Sequence, residues 1–572
     1  MNMRKQLLDL RKVMKAHHID AYMIPTTDFH DSEYVNDYFK CREYVSGFTG
    51  SAGTLIVTME EAKLWTDGRY FIQAAAQLSG SGIDLMKIGE PGVPTITEYL
   101  EKTLSKEQVL GFDGRVCTNG RTLAEKFNVS IDCDLVDEIW ENRPPIIPSE
   151  IYALDEAVTG RSSESKLKCV RKYMEIKGAD YHLTASLEEI AWLYNLRGSD
   201  VKHTPVFFAY ALITPEEDRL YVMDKTFTGD NIYPYEQFLN DLRSLPAGSI
   251  VLNEKITSYA IMRALPADVK VINCENPVSI MKAVKNPIEI ASTMNAHIKD
   301  GAAMVNFLHW LKTNIGKTKI TEISAADYLE NCRMQQDGCY DLSFETISGY
   351  GNNGAIIHYS ATEDTNKELQ PEGLYLVDSG GQYNDGTTDI TRTVALGPLT
   401  DEMKLHYTAV LKGHIALSMA QFKPGTTGAE LDALARKPII DIGLNYNHGT
   451  GHGVGHLLAC HEGPQTISPR GTIFPIEPGM INSNEPGIYI EGSHGIRLEN
   501  EIICIKKSET LYGFESITFC PFDRDAIIVE NLTDDELAWL NGYHRRVYEI
   551  LTPMLSPEVL DWLRKETSEL TR

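Results

Sequence analysis

The strongest hydrophobic pattern in the chain is a row of residues at helical spacing that follows Asn286-Pro287. A spacing of three to four residues predicts a long helix there. The residues on its apolar face are Met294, Ile298, Gly301, Val305 and Leu308. A second helix is predicted from Thr400, a good N-cap residue, to about Phe422. Helical spacing near the end of the chain predicts a helical C-terminal extension over about 510–572, on the evidence of Trp539, Leu540, Tyr543 and Val547.

Two strands are predicted between the first two of these helices. Residues 374–377 and 388–394 are rich in apolar and β-branched side chains. Asn384-Asp385-Gly386 lies between them and is typical of a turn. We therefore expect two strands joined by a turn, the first of them buried.

The first half of the chain alternates short strands with helical stretches such as 187–194. Mixed helix and strand of this kind predicts α/β units. Its two parts share a pattern of strand, polar turn and strand. The similar segments are 20–24 with 179–183, 53–58 with 210–214, and 64–67 with 220–224. An internal duplication and a chance similarity of two α/β segments both explain this likeness.

Proline-rich breaks indicate where domains end. Residues 143–148 read Arg-Pro-Pro-Ile-Ile-Pro, and proline fixes φ and removes a donor, as linkers do. A second break lies near Asn276-Pro277 and Asn286-Pro287. A chain of 572 residues with 42% hydrophobic content is also too long for one core. We therefore expect three domains, at 1–150, 151–286 and 287–572.

Composition excludes several classes of protein. A net charge of -26 argues against a nucleic-acid partner, because a polyphosphate would be repelled. The sequence contains no stretch of about twenty apolar residues, so no membrane span is predicted. The N-terminal segment, Met1 to Met23, lacks a continuous apolar region and a cleavage site, so we expect no signal peptide and a cytoplasmic protein. The ten cysteines are scattered without a CxxC, which favours reduced thiols.

Candidate chemistry is concentrated in the third predicted domain. Singly, a strand-end Asp caps a turn, a strand Glu faces solvent, and a histidine in a glycine-rich loop forms local hydrogen bonds. Together, four carboxylates in one place cannot all stay ionised without cations. Two divalent cations would balance them, and such oxygen-rich ligands suit Mn²⁺ better than Zn²⁺. The candidate ligands are Asp378, Asp389, His452, Glu485 and Glu499.

Four short motifs surround these residues. They are Val-Asp-Ser-Gly at 377–380, His-Gly-Thr-Gly-His-Gly-Val-Gly at 448–455, His-Glu-Gly-Pro at 461–464 and Glu-Pro-Gly at 485–487. With them, the segment resembles the catalytic domain of the creatinase/aminopeptidase P/methionine aminopeptidase family, the pita-bread metallopeptidases. That family's ligand order of Asp, Asp, His, Glu, Glu is matched at all five positions. The resemblance is closest to three-domain Xaa-Pro aminopeptidases, extends to 66–70 and 192–198, and is weakest in the C-terminal tail.

The resemblance implies a fold and an activity. The fold would be two creatinase-N-type α/β domains followed by a pita-bread α+β catalytic domain with a helical C-terminal extension. The activity would be removal of one N-terminal residue from peptides whose second residue is proline, with a hydroxide bridging two metal ions as nucleophile. A homodimer is implied as well. The two front domains could wall off the site against longer N-terminal extensions.

The resemblance also implies residue roles. Asp378 would bind one metal and His452 the other, while Asp389, Glu485 and Glu499 bridge or complete the pair. Glu485 is the expected proton acceptor. His461 is expected to stabilise the tetrahedral intermediate, and His358 and His448 to grip the substrate, although His448 packing within its loop is the alternative. Tyr489 and Arg497 are expected to support the ligands, Arg497 from the same strand face as Glu499.

Other functions also fit parts of the sequence. A prolidase acting on Xaa-Pro dipeptides and a creatinase-like amidinohydrolase would use a similar site. A non-catalytic binding module of the same fold is less favoured, because all five candidate ligands are present. Asp378-Ser379-Gly380-Gly381 is similar to the nucleophile loop of all-β serine proteases, but this chain is rich in helical periodicity. The glycine-rich segment 449–455 lacks the lysine of a phosphate loop.

Overall fold

A computed structural model describes residues 4–572, which form two compact units. The first unit contains the chain up to Leu154 together with Arg161–Val278. The second contains Asp155–Gly160 and Ser279–Arg572. Met1–Met3, the start of the N-terminal segment discussed above, lie outside the described residues. None of the helices in 4–572 has both the length and the apolar character that a membrane span requires.

The first unit begins with a six-stranded sheet in the order β4-β3-β2-β1-β5-β6. Its strands are β1 (Ala21–Pro25), β2 (Thr54–Thr58), β3 (Ala62–Thr66), β4 (Asp84–Lys87), β5 (Val109–Gly111) and β6 (Asn128–Ser130). The helices around it are α1 (Lys5–Ala16), α2 (Cys41–Ser46), α3 (Phe71–Gln77), α4 (Ile96–Thr103) and α5 (Gly120–Lys126). Apolar residues from both faces of the sheet are buried, as a sheet covered on two sides requires.

A second six-stranded sheet in the same unit has the order β12-β11-β10-β8-β13-β14. Its strands, with a separate short pair β7 and β9, are β7 (Tyr152–Ala153), β8 (Tyr181–Thr184), β9 (Leu196–Arg197), β10 (Ala209–Ile213), β11 (Asp218–Val222), β12 (Ile232–Pro234), β13 (Gly248–Leu252) and β14 (Val269–Asn273). The helices are α7 (Ser163–Lys177), α8 (Leu187–Tyr194), α9 (Phe238–Arg243) and α10 (Tyr259–Ala264), together with α6 (Glu156–Thr159), which lies in the second unit, and α11 (Pro277–Ala283), which lies in the second unit from Ser279 onward.

The two sheets share one topology. In each, the second strand along the chain is antiparallel to both of its neighbours, and the three remaining pairings are parallel. A chance likeness of two α/β segments does not require the same strand order and the same pairing directions. The structure therefore favours the internal duplication.

The second unit combines several sheets with long helices. The sheets are β15-β18-β19, β16-β17-β20, β21-β28-β27-β24-β22-β23 and the hairpin β25-β26. The strands are β15 (Cys339–Leu342), β16 (Ile347–Tyr350), β17 (Leu374–Ser379), β18 (Gly381–Tyr383), β19 (Gly386–Thr387), β20 (Ile390–Ala395), β21 (Gln421–Phe422), β22 (Gly451–Gly453), β23 (Glu462–Ile467), β24 (Ile481–Asn484), β25 (Gly487–Ile490), β26 (His494–Arg497), β27 (Asn500–Ser508) and β28 (Leu511–Ser516). The helices are α12 (Pro287–Asn314), α13 (Glu322–Met334), α14 (Asp401–Ser418), α15 (Gly428–Ile440), α16 (Asp534–Leu551) and α17 (Pro557–Glu566).

The predicted long helices are present, with local differences. Asn286 caps α12 in a capping box with Glu289, and Pro287 occupies its first turn. Thr400 caps α14 as expected, but that helix ends at Ser418 because Gln421–Phe422 pair with β28 instead. The C-terminal extension is helical only from α16 onward, since β28 completes the six-stranded sheet. Leu540, Tyr543 and Val547 of α16 are buried in the core of this unit.

The predicted pair of strands also differs in detail. A short hairpin, β18 with β19, lies between β17 and β20 and joins a different sheet. The second strand therefore begins at Ile390, so Asp389 lies just outside it. Local turn residues predict the reversal, but not the sheet to which each piece belongs.

Candidate metal centre

Two neighbouring strands bring the predicted aspartates together. Asp378 is near the end of β17, a strand buried along its whole length, and lies opposite Thr391 of β20. Asp389 lies in the break between β19 and β20, two residues before Thr391. Because side chains alternate along extended chain, Asp389 and Thr391 point to the same side. The antiparallel pairing thus holds both carboxylates at one end of the sheet.

The six-stranded sheet supplies the other candidate ligands. His452 lies on strand β22, where the sequence predicted a loop. Glu485 follows the last residue of β24, and Glu499 lies in the link between β26 and β27. Arg497 ends β26, so it and Glu499 do not share one strand, in contrast to the prediction. The pairing of β24 with both β22 and β27 explains why residues so far apart in sequence meet.

The five predicted ligands converge in overlapping groups. Ligand atoms within each group lie within 4.8 Å of one another, and the groups are Asp378–Asp389–Glu499, His452–Glu485–Glu499 and Asp389–His452–His461. His452 Nε2 lies 3.5 Å from Asp389 Oδ2 and 3.4 Å from Glu485 Oε1. The resemblance implies that His461 stabilises the reaction intermediate, whereas the third group places its ring close enough to share a cation.

The donor set fits divalent cations. Asp378 Oδ1, Asp389 Oδ1 and Glu499 Oε1 are buried and have no hydrogen-bond partner. Buried carboxylate oxygens left without a partner are costly, and a cation satisfies them directly. Four carboxylates with imidazole nitrogen are donors that Mn²⁺ and similar ions accept.

Electrostatics lead to the same conclusion. Burial, and then the neighbouring Glu499, raise the pKa of Glu485 to about 8. Burial and Asp378 raise the pKa of Asp389 well above its usual range. Burial and Asp389 do the same to the pKa of Glu499. The protein alone therefore disfavours full ionisation of the cluster, and positive charge from bound cations is what would allow it.

A chain of hydrogen bonds leads away from Asp378. Arg497 donates from Nε and Nη2 to Asp378 Oδ2, at 3.1 and 2.7 Å, and from Nη1 to the Tyr489 hydroxyl at 2.7 Å. The Tyr489 hydroxyl lies 2.8 Å from His448 Nε2, and His448 Nδ1 lies 2.7 Å from the Gly449 carbonyl. Since a carbonyl only accepts, Nδ1 carries the proton and Nε2 accepts from Tyr489. Both His448 nitrogens thus bond within the chain in this structure.

Of the two remaining histidines, His461 lies beside a candidate ligand and His358 lies in a segment that contacts Arg497. The His461 ring packs edge-on against His452, with centroids 4.2 Å apart. His358 follows Ile357, whose carbonyl accepts from Arg497 Nη2 at 3.3 Å. That contact attaches the segment of His358 to the arginine that binds Asp378. The five predicted ligands and His461 therefore lie together, with Arg497, Tyr489 and His448 joined to them by hydrogen bonds. The substrate contact expected of His358 stays a prediction.

Several supporting residues were missed by sequence reasoning. Thr391 donates to Glu499 Oε2 at 2.7 Å, and Ser483 donates to Glu485 Oε1 at 3.2 Å. Glu501 accepts the backbone N–H of Asp389, and Cys460 lies against the Asp389 carboxylate. Thr391, Ser483 and Glu501 are each two positions from a predicted ligand, so strand alternation was a usable signal for them. Cys460 gave no such signal.

Comparison with family models assigns most of the chain. The Creatinase/Prolidase N-terminal domain is matched twice, by residues 6–141 and 142–289. Metallopeptidase family M24 is matched by residues 291–506. The C-terminal region of peptidase M24 is matched by residues 510–570. The candidate centre lies wholly inside the M24 match.

Curated relatives match the chain from end to end. A protein named probable Xaa-Pro aminopeptidase P from Laccaria bicolor is 40% identical over 605 residues, covering 100% of this chain and 94% of the relative. Aminopeptidase P1 of Arabidopsis thaliana is 37% identical over 648 residues, covering 100% of both.

Solved structures give the same picture. The X-prolyl aminopeptidase of Caenorhabditis elegans, described as a cytosolic enzyme with a di-nuclear active site, has a TM-score of 0.94 and 33% identity. It covers 99% of this chain and 100% of its own. The prolidase of Pyrococcus horikoshii has a TM-score of 0.50 and 25% identity. Its match covers 62% of this chain and 99% of its own.

Proposed function

Because the chain belongs to metallopeptidase family M24, we propose that it is an aminopeptidase that hydrolyses the N-terminal Xaa-Pro bond of peptides. The observation that carries the proposal is the convergence of Asp378, Asp389, His452, Glu485 and Glu499 around buried, unpartnered carboxylate oxygens. Full-length similarity to proteins named Xaa-Pro aminopeptidase P supports the specificity. The prolidase structure, in contrast, has no counterpart to a large part of this chain.

These five residues would hold two divalent cations, which we propose to be Mn²⁺ because oxygen ligands predominate. When bound, the pair supplies an acidified water and polarises the scissile carbonyl. Glu485 is suited to accept the proton of the attacking water. Its carboxylate is partly exposed and lies beside His452 and Ser483, so it faces the reaction and is oriented from two sides.

The histidines would handle the substrate. His461 lies beside His452 and Asp389, where an N–H would reach the developing oxyanion or the departing nitrogen. His358 would contact the substrate near the scissile bond. His448 would act through Tyr489, because its ring nitrogens already bond to Tyr489 and Gly449. Arg497 would hold Asp378 in place.

Specificity for proline follows from the chemistry of the bond. An Xaa-Pro amide has no N–H, so peptidases that bind that group cannot recognise it. A pocket shaped to the pyrrolidine ring would accept it. We further propose that the enzyme acts in the cytoplasm as a homodimer on peptides, without a nucleic-acid or membrane partner. The cytosolic description of the Caenorhabditis elegans enzyme supports the location.

The test is release of the first residue from an Xaa-Pro-Xaa tripeptide by Mn²⁺-loaded protein. We expect turnover, complete inhibition by a chelator, and little activity on the matched Xaa-Ala-Xaa tripeptide. An Xaa-Pro dipeptide is the second comparison. Strong preference for the dipeptide would favour a prolidase, and no turnover of any of the three would contradict the proposal.

A further inference from the structure

Asp389 depends on side-chain contacts for its placement. It lies between β19 and β20, so no strand partner accepts its backbone N–H. That N–H donates instead to Glu501 Oε1 at 2.8 Å. On the carboxylate, Oδ2 lies 3.1 Å from Cys460 Sγ, while Oδ1 has no hydrogen-bond partner. Since an ionised carboxylate only accepts, the thiol is the donor.

Glu501 is enclosed in the core beside α12. It lies on β27, two residues after Glu499 and opposite Ser483 of β24, and it is fully buried. Its Oε2 lies 3.1 Å from Nε2 of His297, a buried residue of α12. Glu501 is not part of any group that could hold a cation among residues 4–572. Its carboxylate therefore serves the backbone of Asp389, with His297 beside its negative charge.

Cys460 contacts the side chain of Asp389, whereas Glu501 contacts its backbone. It is 1% exposed and directly precedes His461, so its position is set by the segment that carries that histidine. Its thiol contacts Oδ2, which also lies 3.5 Å from His452 Nε2, while Oδ1 has no hydrogen-bond partner. A carboxylate held at its backbone and at one oxygen loses little rotational freedom when a cation binds.

We propose that Cys460 and Glu501 are positioning residues that hold Asp389 so that its carboxylate faces the cation pair. The inference rests on the proposed function only in taking Asp389 as a ligand. Partners of this kind typically contribute about 10- to 100-fold in metal affinity. Loss of either residue should weaken cation binding and lower kcat, and KM for the peptide should change little.

The test measures Mn²⁺ binding to metal-free protein by calorimetry, without any peptide. We expect Cys460→Val, which removes the donor at similar volume, to weaken binding of at least one Mn²⁺ ion about tenfold. Cys460→Ser and Glu501→Gln keep a donor or acceptor in place and should remain near wild type. Glu501→Leu should weaken binding as Cys460→Val does. The matched control is Cys504→Val, a buried thiol further along β27, which should leave binding unchanged.

Thermal unfolding of each variant separates positioning from loss of fold. If Glu501→Leu does not fold, the comparison of Cys460→Val with Cys460→Ser is sufficient to test the proposal. Wild-type affinities for both ions in Cys460→Val would overturn the proposal, and so would an equal loss in Cys460→Ser. Because binding is measured without substrate, failure of peptide hydrolysis in wild type would contradict the proposed function and leave this result standing.

Discussion

Among single residues, the main feature of the centre is the repulsion between its carboxylates. Carboxylates that would repel one another are held close by hydrogen bonds to one oxygen each, which leaves the other oxygen for a cation. Asp378 depends most on a charged partner, since Arg497 reaches it with two donors. A buried contact in which two charged donors share one carboxylate oxygen fixes the carboxylate more firmly than a neutral hydrogen bond does.

Replacing Arg497 tests that dependence. In Arg497→Met, Asp378 loses its two donors and Tyr489 loses its link to the centre, so we expect kcat to fall about 100-fold. Arg497→Lys keeps the positive charge but lacks the paired N–H donors of the guanidinium, so it should recover only part of the rate. Steady-state kinetics with an Xaa-Pro-Xaa peptide, together with measured metal content, checks this. Unchanged kcat in Arg497→Met would contradict the role given to this arginine.

A buried histidine outside the centre predicts a pH effect on stability. Burial lowers the pKa of His182, on β8, from 6.5 to about 4. Below pH 6.5 His182 binds a proton in the unfolded chain but not in the folded chain. The free energy of unfolding therefore decreases as the pH falls from 6.5 toward 4. The slope is about 1.4 kcal/mol per pH unit for one group.

His182→Gln removes this titration, so its thermal unfolding temperature should fall less than that of wild type between pH 7 and pH 5. Calorimetry at both pH values, on the full chain, gives the comparison. Equal decreases in the two proteins would show that His182 does not contribute.

At the scale of elements, close backbone contacts decide how the site is assembled. Gly495 of β26 lies against the carbonyl of Gly354, in the 3-10 turn Gly351–Ala355 that precedes His358. A Cβ at Gly495 would overlap that carbonyl oxygen. The strand that carries Arg497 and the segment that carries His358 can therefore meet only at a glycine.

Gly495→Ala should separate these two elements. We expect a loss of about 1–3 kcal/mol in stability, the usual effect of overpacking, with a larger proportional loss of activity. Gly542→Ala on α16, where a Cβ meets open space, is the matched control and should be neutral or slightly stabilising. Denaturant unfolding and peptide hydrolysis measure both effects. A fully active Gly495→Ala would show that the contact is not needed.

Elements also show what the sequence could predict and what it could not. The helices α12 and α14 follow from local periodicity and caps, which the chain expresses within a few residues. The end of α14 and the start of β20 depend on pairing with distant strands, which local patterns do not contain. The candidate ligands were found because their motifs are specific. Cys460 was missed because a cysteine after an apolar run gives no local signal of function. Only the fold shows that its thiol contacts Asp389.

At the scale of the whole molecule, a duplicated α/β fold occupies the first unit and the candidate centre the second. The two halves of the first unit match the same description of N-terminal domain, in agreement with their common sheet order. The domain edges near 150 and 286 remain predictions. The expectation that the front domains limit access to the site stays a prediction.

The account depends on five side chains that together bind two cations. The most direct measurement is Mn²⁺ uptake by metal-free protein, for wild type and Asp378→Asn, alongside hydrolysis of an Xaa-Pro-Xaa peptide. The account predicts two ions per chain in wild type and fewer in the variant. Hydrolysis in the variant should fall about 1000-fold or more, since several kcal/mol of transition-state stabilisation is lost. Two tightly bound ions and full activity in Asp378→Asn would contradict it.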